Sequence, residues 1–207
     1  MATLLLVRHG ETEWNQTGRY QGQTDIGLSE AGVQQAERLR RSLSSNRIDG
    51  VYASDLKRTM ETAAIIAAPH QLKIQPCTEL RELNFGEMEG KSFEEIQRDY
   101  SALIQAWRTG NIEAIAPQGE SPSQLAARVA RFMPQLKKEP ADKTLFIVAH
   151  GGSLQMLVCL LLGINPANWL RFRLDTASLT IARTYSEQAV LTLLNDTCHL
   201  RGGLNSP

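Results

Sequence analysis

The fold is decided by two stretches of sequence, residues 3–10, TLLLVRHG, and residues 144–152, TLFIVAHGG. Each begins with a short, continuous apolar run, the pattern typical of a strand that is buried on both faces. Each then passes directly into a histidine followed by glycine. We therefore predict buried strands at Thr3–Val7 and Thr144–Ala149, with His9 and His150 just beyond their carboxyl ends.

Helix and strand signals fill the segment after the first stretch. Ser29 is a favourable N-cap, and an apolar stripe at helical spacing follows it, formed by Val33, Ala36, Leu39 and Leu43. Gly50–Ala53 has the composition of a second strand. Ser54 or Asp55 is predicted to cap a helix that runs from there through Ala68.

Two capping boxes predict further helices in the middle of the chain. Ser92 pairs with Glu95 in the first box, and Ser121 pairs with Gln124 in the second. Pro122 stands at the first helical position of the second, where its missing N–H has no consequence.

The C-terminal part completes the predicted fold. Ser153–Leu162 is predicted to be a buried helix that ends at Gly163, and Ser178–Arg183 and Val190–Leu194 are predicted to form an antiparallel hairpin. Strands that alternate with helices predict an α/β fold with three layers, α/β/α. The sheet should be mainly parallel, with an antiparallel C-terminal strand.

Length and composition limit the number of domains and the classes of binding partner. The 207 residues suit a single domain, 1–207, in which the less regular segment Glu82–Gln118 could form a small cap from about 83 to 118. The 22 Lys and Arg residues balance the 22 Asp and Glu residues, so the chain has no net positive charge that would attract nucleic acid or an anionic membrane. The three cysteines form no CxxC pattern, and neither a signal peptide nor a membrane span is indicated. A cytoplasmic location is expected, and a homodimer is left open.

Four basic side chains gather at the predicted strand ends. In open α/β sheets, ligands bind outside the carboxyl ends of the strands, where His9 and His150 are expected. Arg8 is costly to bury there unless it meets an anion, and Arg58 lies in the first turn of the helix after the second strand. Because arginine forks match phosphate oxygens, these residues indicate a phosphate site.

Phosphoryl transfer also requires an acid. A neutral imidazole can attack phosphorus and hold it as phosphohistidine, but a carboxyl group with a raised pKa must protonate the departing alkoxide. Glu82 is the candidate, and from spacing alone Glu79, Glu87 and Glu89 are nearly as good. The rival classes are weaker, since the chain has neither the GxSxG motif of a serine hydrolase nor a P-loop.

The ordered motifs resemble the histidine phosphatase superfamily, in its phosphoglycerate mutase-like branch, over essentially the whole chain. The matching pieces are Leu6-Val7-Arg8-His9-Gly10-Glu11-Thr12 with Asn15, Gln21-Gly22, Leu28-Ser29-Glu30-Ala31-Gly32, Ser54-Asp55-Leu56-Lys57-Arg58-Thr59, Leu80-Arg81-Glu82, Gly86, Glu89-Gly90 and Ala149-His150-Gly151-Gly152.

The resemblance implies a role for each matching residue. It makes His9 the phosphorylated nucleophile, Glu82 the proton donor, and Arg8, Arg58 and His150 the phosphate pocket. Four further positions are implied to bind substrate, namely Asn15, Gln21, Gly22 and Gly151. The resemblance implies no metal and no cofactor, and a small phosphorylated metabolite as the substrate.

The resemblance also favours one activity, hydrolysis, over the others found in the family. The stretch between Glu82 and His150 is shorter than in the family's cofactor-dependent mutases, and a small cap favours hydrolysis over mutase chemistry. The chain is similar to bacterial α-ribazole phosphatases and to metal-independent phosphoserine phosphatases, and its ending, 195–200, is similar to both. Two positions differ from the family pattern. Phe85 stands where the phosphoserine phosphatases have a histidine, and Met88 stands where family phosphatases often have a tryptophan. A mutase and an inactive phospho-ligand binding module are the alternatives.

Overall fold

One mixed sheet forms the centre of the molecule. The computed structural model describes residues 2–140, 142–186 and 188–201. Within these ranges the strands are β1 (Ala2–Arg8), β2 (Gly50–Ala53), β3 (Ile74–Pro76), β4 (Thr144–Ala149), β5 (Leu179–Thr184) and β6 (Ala189–Asp196). Their order across the sheet is β3-β2-β4-β1-β5-β6.

Helices connect the strands. The described α-helices are α1 (Glu13–Gln16), α2 (Glu30–Leu43), α3 (Lys57–Ala67), α4 (Phe93–Asp99), α5 (Ser101–Arg108), α6 (Pro122–Ala130), α7 (Met133–Lys138) and α8 (Gly151–Leu162). Short 3-10 helices occupy Ala68–His70, Thr78–Leu80, Gly86–Met88, Pro166–Arg171 and Cys198–Leu200.

The strand directions confirm the predicted sheet. Strands β1 to β4 pair in parallel, whereas β5 pairs antiparallel with both β1 and β6. In the register between the central strands, Arg8 lies opposite Ala149, and the His9 amide donates to the Ala149 carbonyl over 3.0 Å. This pairing brings His9 and His150, each one residue further on, to the same edge of the sheet.

Helices cover both faces of the sheet, as predicted. Alternate residues of β1 point to opposite faces, so Leu4 and Leu6 belong to one buried cluster and Leu5 and Val7 to the other. The first cluster includes residues of α6, α7 and α8, and the second includes residues of α2 and α3. The architecture is therefore three layers, α/β/α.

Two details of the early helices were predicted wrongly. Ser29 caps α2 as expected, but Val33 is 41% exposed, and Gly32 takes its place on the buried face. Neither Ser54 nor Asp55 caps α3, whose N-cap is Leu56. Instead, the carboxylate of Asp25, distant in sequence, accepts a 2.6 Å bond from the Lys57 amide.

The later elements agree more closely with the sequence. Both capping boxes are present, at Ser92 and at Ser121, and Gly163 ends α8 in the left-handed conformation with φ +64. Helix α8 begins two residues earlier than predicted, at Gly151, so His150 is its N-cap. The hairpin is confirmed, with β5 displaced by one residue from the prediction.

The segment 83–118 is more regular than predicted. It contains α4, α5 and a 3-10 helix, and Met88, Ile96 and Trp107 from it are buried in the main core cluster. Its role as a cap stays a prediction. The limits of the predicted domain, residues 1 and 207, lie outside the described residues.

In the ranges that the structure describes, no helix combines the length and the apolar character that a membrane crossing requires.

Candidate active site

His9 is held in a defined tautomer at the end of β1. Its ring is buried, and its Nδ1 lies 2.7 Å from the Gly10 carbonyl oxygen. Because a carbonyl can only accept, Nδ1 carries the proton and donates it. The lone pair of the neutral ring is therefore on Nε2, the nitrogen able to attack an electrophile.

The surroundings keep His9 neutral. Burial lowers the pKa of its imidazole well below the ordinary value, and the positive charges of Arg58 and Arg8 lower that pKa further. The hydrogen bond to the Gly10 carbonyl opposes them with a smaller effect. A buried ring between two guanidinium groups thus retains its lone pair at neutral pH.

His150 lies against His9, with ring centroids 5.2 Å apart and planes inclined at 62°. Its Nδ1 accepts a 3.2 Å hydrogen bond from Arg58 Nε, which can only donate. The ring proton is therefore on Nε2, which donates to Ser54 Oγ over 2.9 Å. Burial, followed by the charge of Arg58, holds the pKa of His150 well below its usual range.

Arg58 is fully buried in the first turn of α3. Besides His150, its guanidinium contacts two backbone carbonyls, with Nη2 donating to Gly22 over 2.7 Å and Nη1 to Thr24 over 2.9 Å. Burial lowers the pKa of Arg58 to about 10, and the negative charge of Glu82 opposes this effect more than any other charge does. The guanidinium stays charged at neutral pH and lies beside both imidazoles.

Arg8 extends from the end of β1 toward the same region. Its Nη1 donates to the Leu174 carbonyl over 2.7 Å, while its Nε is buried and has no partner among the described residues. Burial lowers the pKa of Arg8, and the charges of Glu82 and Asp175 raise it in part. An unpartnered buried donor on a cation is a feature of an anion site.

Glu82 is held at the N-terminus of α8. Its carboxylate accepts from the amides of Gly152 over 3.0 Å and Ser153 over 3.2 Å, and from its neighbour Leu83 over 2.9 Å. These are the amides that a helix leaves without internal partners, so they fix the position of the Glu82 carboxyl group beside Arg8. A Cβ added to Gly151 would lie 3.7 Å from both the Arg8 guanidinium carbon and a Glu82 carboxylate oxygen.

The structure therefore brings together the five residues predicted to be catalytic, His9, Glu82, His150, Arg8 and Arg58. Two neutral imidazoles and two guanidinium groups surround a position suited to an anion, and a carboxyl group lies beside them. Such an arrangement can bind a tetrahedral phosphate, attack it with nitrogen and exchange a proton with its ester oxygen.

The predicted substrate-binding residues have mixed positions. Gly22 supports Arg58 through its carbonyl, and Gly151 lies against Arg8 and Glu82. Gln21 is buried, and its Oε1 has no partner among the described residues. Asn15 uses its side-chain oxygen in the capping box of α1, accepting from the Thr12 amide over 3.0 Å. These substrate contacts stay predictions.

Three contributors were missed by sequence reasoning. Ser54 is a hydrogen-bond partner of His150, not a helix cap. Asp25 caps α3, and Thr62 Oγ1 accepts from the Gly10 amide over 3.0 Å, which holds the residue after His9. Ser54 and Thr62 lie within or beside the motif around Arg58, but nothing local in the sequence indicates their partners.

The aromatic and apolar residues near Glu82 divide between core and surface. Met88 and Trp107 are buried in the core, whereas Phe93 is 49% exposed. Phe85 packs edge-to-face on Tyr20, with ring centroids 5.1 Å apart, and also contacts Trp107. The residues are thus mainly structural, with Phe85 the member that joins the turn at Tyr20 to the core.

His199 has a partner within the chain. Its Nε2 lies 3.0 Å from the Ala177 carbonyl, and the Ala177 amide in turn donates to the Arg8 and His9 carbonyls, each over 3.0 Å. The C-terminal 3-10 helix is thus tied to the backbone behind the nucleophile candidate.

Metal-ligating side chains do not cluster in the described parts of the chain: no group of three or more His, Cys, Asp or Glu is placed to hold an ion. The metal-free mechanism stays a prediction.

Comparison with known proteins identifies the family of the chain. The model of the histidine phosphatase superfamily (branch 1) matches residues 4–197, and the chain belongs to this family. Phosphoserine phosphatase 1 of Hydrogenobacter thermophilus is 34% identical over 200 residues, 97% of this chain and 95% of the relative. A protein of Erwinia tasmaniensis named "Probable phosphoglycerate mutase GpmB" is 36% identical over 207 residues, with 97% and 95% covered.

The fold is also similar to that of a solved structure. The α-ribazole phosphatase from Shigella flexneri has a TM-score of 0.85 and 30% sequence identity, covering 94% of this chain and 96% of that one. The fold is phosphoglycerate mutase-like, and family membership supports phosphatase activity.

Proposed function

We propose that this chain is a metal-independent phosphomonoesterase that hydrolyses a small phosphorylated metabolite through a phosphohistidine on His9. One observation carries the proposal: His9 is a neutral, buried ring whose Nδ1 proton is committed to the Gly10 carbonyl. Its Nε2 lone pair is therefore available, beside two guanidinium groups that can neutralise the charge of a phosphate.

The first step forms the phosphohistidine. The Nε2 lone pair of His9 attacks phosphorus, and the bond between phosphorus and the ester oxygen breaks. The departing oxygen takes a proton from the carboxyl group of Glu82, so that a neutral alcohol leaves. Arg8 and Arg58 donate to the phosphoryl oxygens, and His150, whose two ring nitrogens bond to Arg58 and Ser54, lies beside them.

The second step releases phosphate. A water molecule gives its proton to the Glu82 carboxylate and attacks phosphorus, and the phosphorus–nitrogen bond breaks. The electron pair returns to Nε2 of His9, which restores the neutral ring. The amides of Gly152 and Ser153 keep the carboxyl group of Glu82 in place throughout.

The substrate class follows from the relatives and from the size of the predicted cap at 83–118. Phosphoserine and α-ribazole phosphate are the candidates, because one relative is named a phosphoserine phosphatase and one similar structure an α-ribazole phosphatase. Both match nearly the whole chain. Phe85, an apolar side chain packed on Tyr20, offers no charge for a substrate carboxylate. A screen of phosphorylated metabolites by kcat/KM, including 3-phosphoglycerate, separates these candidates.

The mechanism is tested by trapping the intermediate. Rapid acid-free quenching during turnover should give a phosphorylated protein that is acid-labile and alkali-stable, with the label on His9. His9→Ala should abolish both labelling and turnover, because the described site contains no second imidazole with a free lone pair. Turnover should also survive a chelator. Retained turnover in His9→Ala, or a requirement for added metal, would refute the proposal.

A mutase is the second candidate, because one relative is named as a phosphoglycerate mutase and is 36% identical. Interconversion of phosphoglycerates that depends on a bisphosphate primer would establish it. A chain that binds phosphate but neither hydrolyses nor transfers it would be the inactive binding module. The cytoplasmic location stays a prediction, and the oligomeric state stays open.

A further inference from the structure

The carboxylate of Glu89 accepts hydrogen bonds from two segments of the chain, the turn at 21–24 and the residue Phe85. Its Oε1 accepts from the Gln23 amide over 2.9 Å and the Phe85 amide over 3.1 Å. Its Oε2 accepts from the Thr24 amide over 2.8 Å and from the Thr24 hydroxyl. The side chain thus holds the turn at 21–24 to the segment that begins after Glu82.

The same turn carries the carbonyls that orient Arg58. Gly22 and Thr24 accept from the two terminal nitrogens of the guanidinium, over 2.7 and 2.9 Å. Two residues of the turn therefore contact Arg58 through their carbonyls, and the amides of 23 and 24 contact Glu89. The peptide units between them link the carboxylate to the guanidinium without a direct contact.

The fit between Glu89 and the turn is close. Gly22 has φ +55, the left-handed conformation that favours glycine, and a Cβ added there would come within 1.9 Å of Glu89 Oε1. The carboxylate therefore occupies the space against the Cα of Gly22, which restricts how far the turn can move while Glu89 is in place.

Charge reinforces the geometry. Arg58 is fully buried, and within the described residues no carboxylate forms an ion pair with it at contact distance. The negative charges of Glu82, Asp25 and Glu89 act on it from further away. Glu89 therefore stabilises the cation while it holds the carbonyls that orient that cation.

We propose that Glu89 is a positioning residue for phosphate binding: it holds the turn at 21–24 so that the carbonyls of Gly22 and Thr24 aim the Arg58 guanidinium at the phosphate. This rests on the proposed function, in which Arg58 binds the phosphoryl oxygens. Because Glu89 lies within the predicted cap at 83–118, its bonds to the amides of Gln23 and Thr24 also link that cap to the phosphate pocket.

Glu89→Gln is the sharpest test, because it keeps the shape and removes an acceptor. In either orientation the amide group places N–H donors against backbone N–H donors of the turn. We expect kcat/KM to fall about 10–100-fold and the Kd for inorganic phosphate to rise to a similar extent, the loss typical of a displaced binding group. Glu87→Gln is the matched control: Glu87 is exposed in the 3-10 helix Gly86–Met88, which directly precedes Glu89, and its substitution should leave both values unchanged.

A double-mutant cycle separates positioning from general stability. If Glu89 acts through Arg58, Glu89→Gln should change phosphate affinity less than about threefold once Arg58→Ala is present. An equal loss in both backgrounds, or wild-type values in Glu89→Gln, would overturn the proposal. Thr24→Val removes only the hydroxyl donor, so it should lower kcat/KM and raise the Kd for phosphate by a smaller factor. This variant replaces Glu89→Gln in the test if Glu89→Gln does not fold.

Crystal structures of the wild type and Glu89→Gln distinguish this proposal from the proposed function. The expected change is a guanidinium of Arg58 that has lost one or both carbonyl contacts. If the wild type neither hydrolyses phosphomonoesters nor binds inorganic phosphate, the proposed function fails, and the guanidinium position alone decides the role of Glu89. An unmoved guanidinium refutes the positioning role whatever the activity.

Discussion

Replacement of Arg58 tests the phosphate pocket most directly. Three of its N–H groups are committed to His150, Gly22 and Thr24, which leaves about two for phosphate oxygens. A hydrogen bond to a charged group contributes about 1.5–3 kcal/mol, so about 3–6 kcal/mol is the upper bound for both. We expect Arg58→Ala to lower kcat/KM about 10²–10³-fold, or about 2.7–4 kcal/mol, within that bound.

The assay is hydrolysis of an aryl phosphate, with each variant checked for folding by circular dichroism. Arg41→Ala is the control, because Arg41 is an exposed residue in the last turn of α2. Arg58→Lys keeps the charge but lacks the planar fork, and should recover only part of the loss. A folded Arg58→Ala protein with the wild-type kcat/KM would refute the assignment of this residue to the pocket.

The pH profile of the same variant gives an independent result. The charge of Arg58 lowers the pKa of both His9 and His150, so its removal should raise both pKa values toward the ordinary range. Protonation of His9 then begins at higher pH, and the acidic limb of kcat/KM should move upward. An acidic limb that stays in place would show that Arg58 does not act on the nucleophile.

Two further predictions follow from the buried groups. Glu82→Gln should lower kcat/KM about 10²–10⁴-fold on an alkyl phosphate and less on p-nitrophenyl phosphate, whose leaving group requires no proton; equal losses on both esters would argue against a proton donor. The neutral rings of His9 and His150 should also make the fold acid-sensitive. In the unfolded chain a histidine gains a proton below about pH 6.5, whereas the folded rings do so only at lower pH. The free energy of unfolding should therefore be at its full value above about pH 6.5. Below that pH it should decrease by up to about 2.7 kcal/mol per pH unit for the two rings together. Urea denaturation at several pH values measures this, and a flat profile between pH 7 and 5 would contradict the neutral assignment.

Local signals in the sequence predicted most of the fold. The continuous apolar runs at β1 and β4 identify strands buried on both faces, and the capping boxes at Ser92 and Ser121 mark helix starts with residues three positions apart. These signals are readable because the interacting groups are close in the chain. The parallel pairing of β1 with β4 follows from the helices between them, since such a connection crosses over the sheet.

Predictions failed where a partner was distant in sequence. The side-chain acceptor at the start of α3 is Asp25, which lies 32 residues before Lys57, the residue whose amide donates to it. Val33 is apolar yet exposed, whereas Gly32 is buried because its Cα packs against the backbone of Glu11 in the loop after β1. Helix periodicity alone could not distinguish these two neighbouring residues.

The sequence by itself determined which chemical groups the site contains, because strand ends of a parallel sheet bring His9 and His150 to one edge whatever the loops do. Only the tertiary structure decided their states: the Gly10 carbonyl and the Arg58 Nε set the two tautomers, and amides at the N-terminus of α8 hold the carboxylate of Glu82, the residue that the resemblance had singled out. The physical reason is that protonation and orientation depend on donors, acceptors and burial within a few ångströms, and those neighbours come from segments that are far apart in the chain.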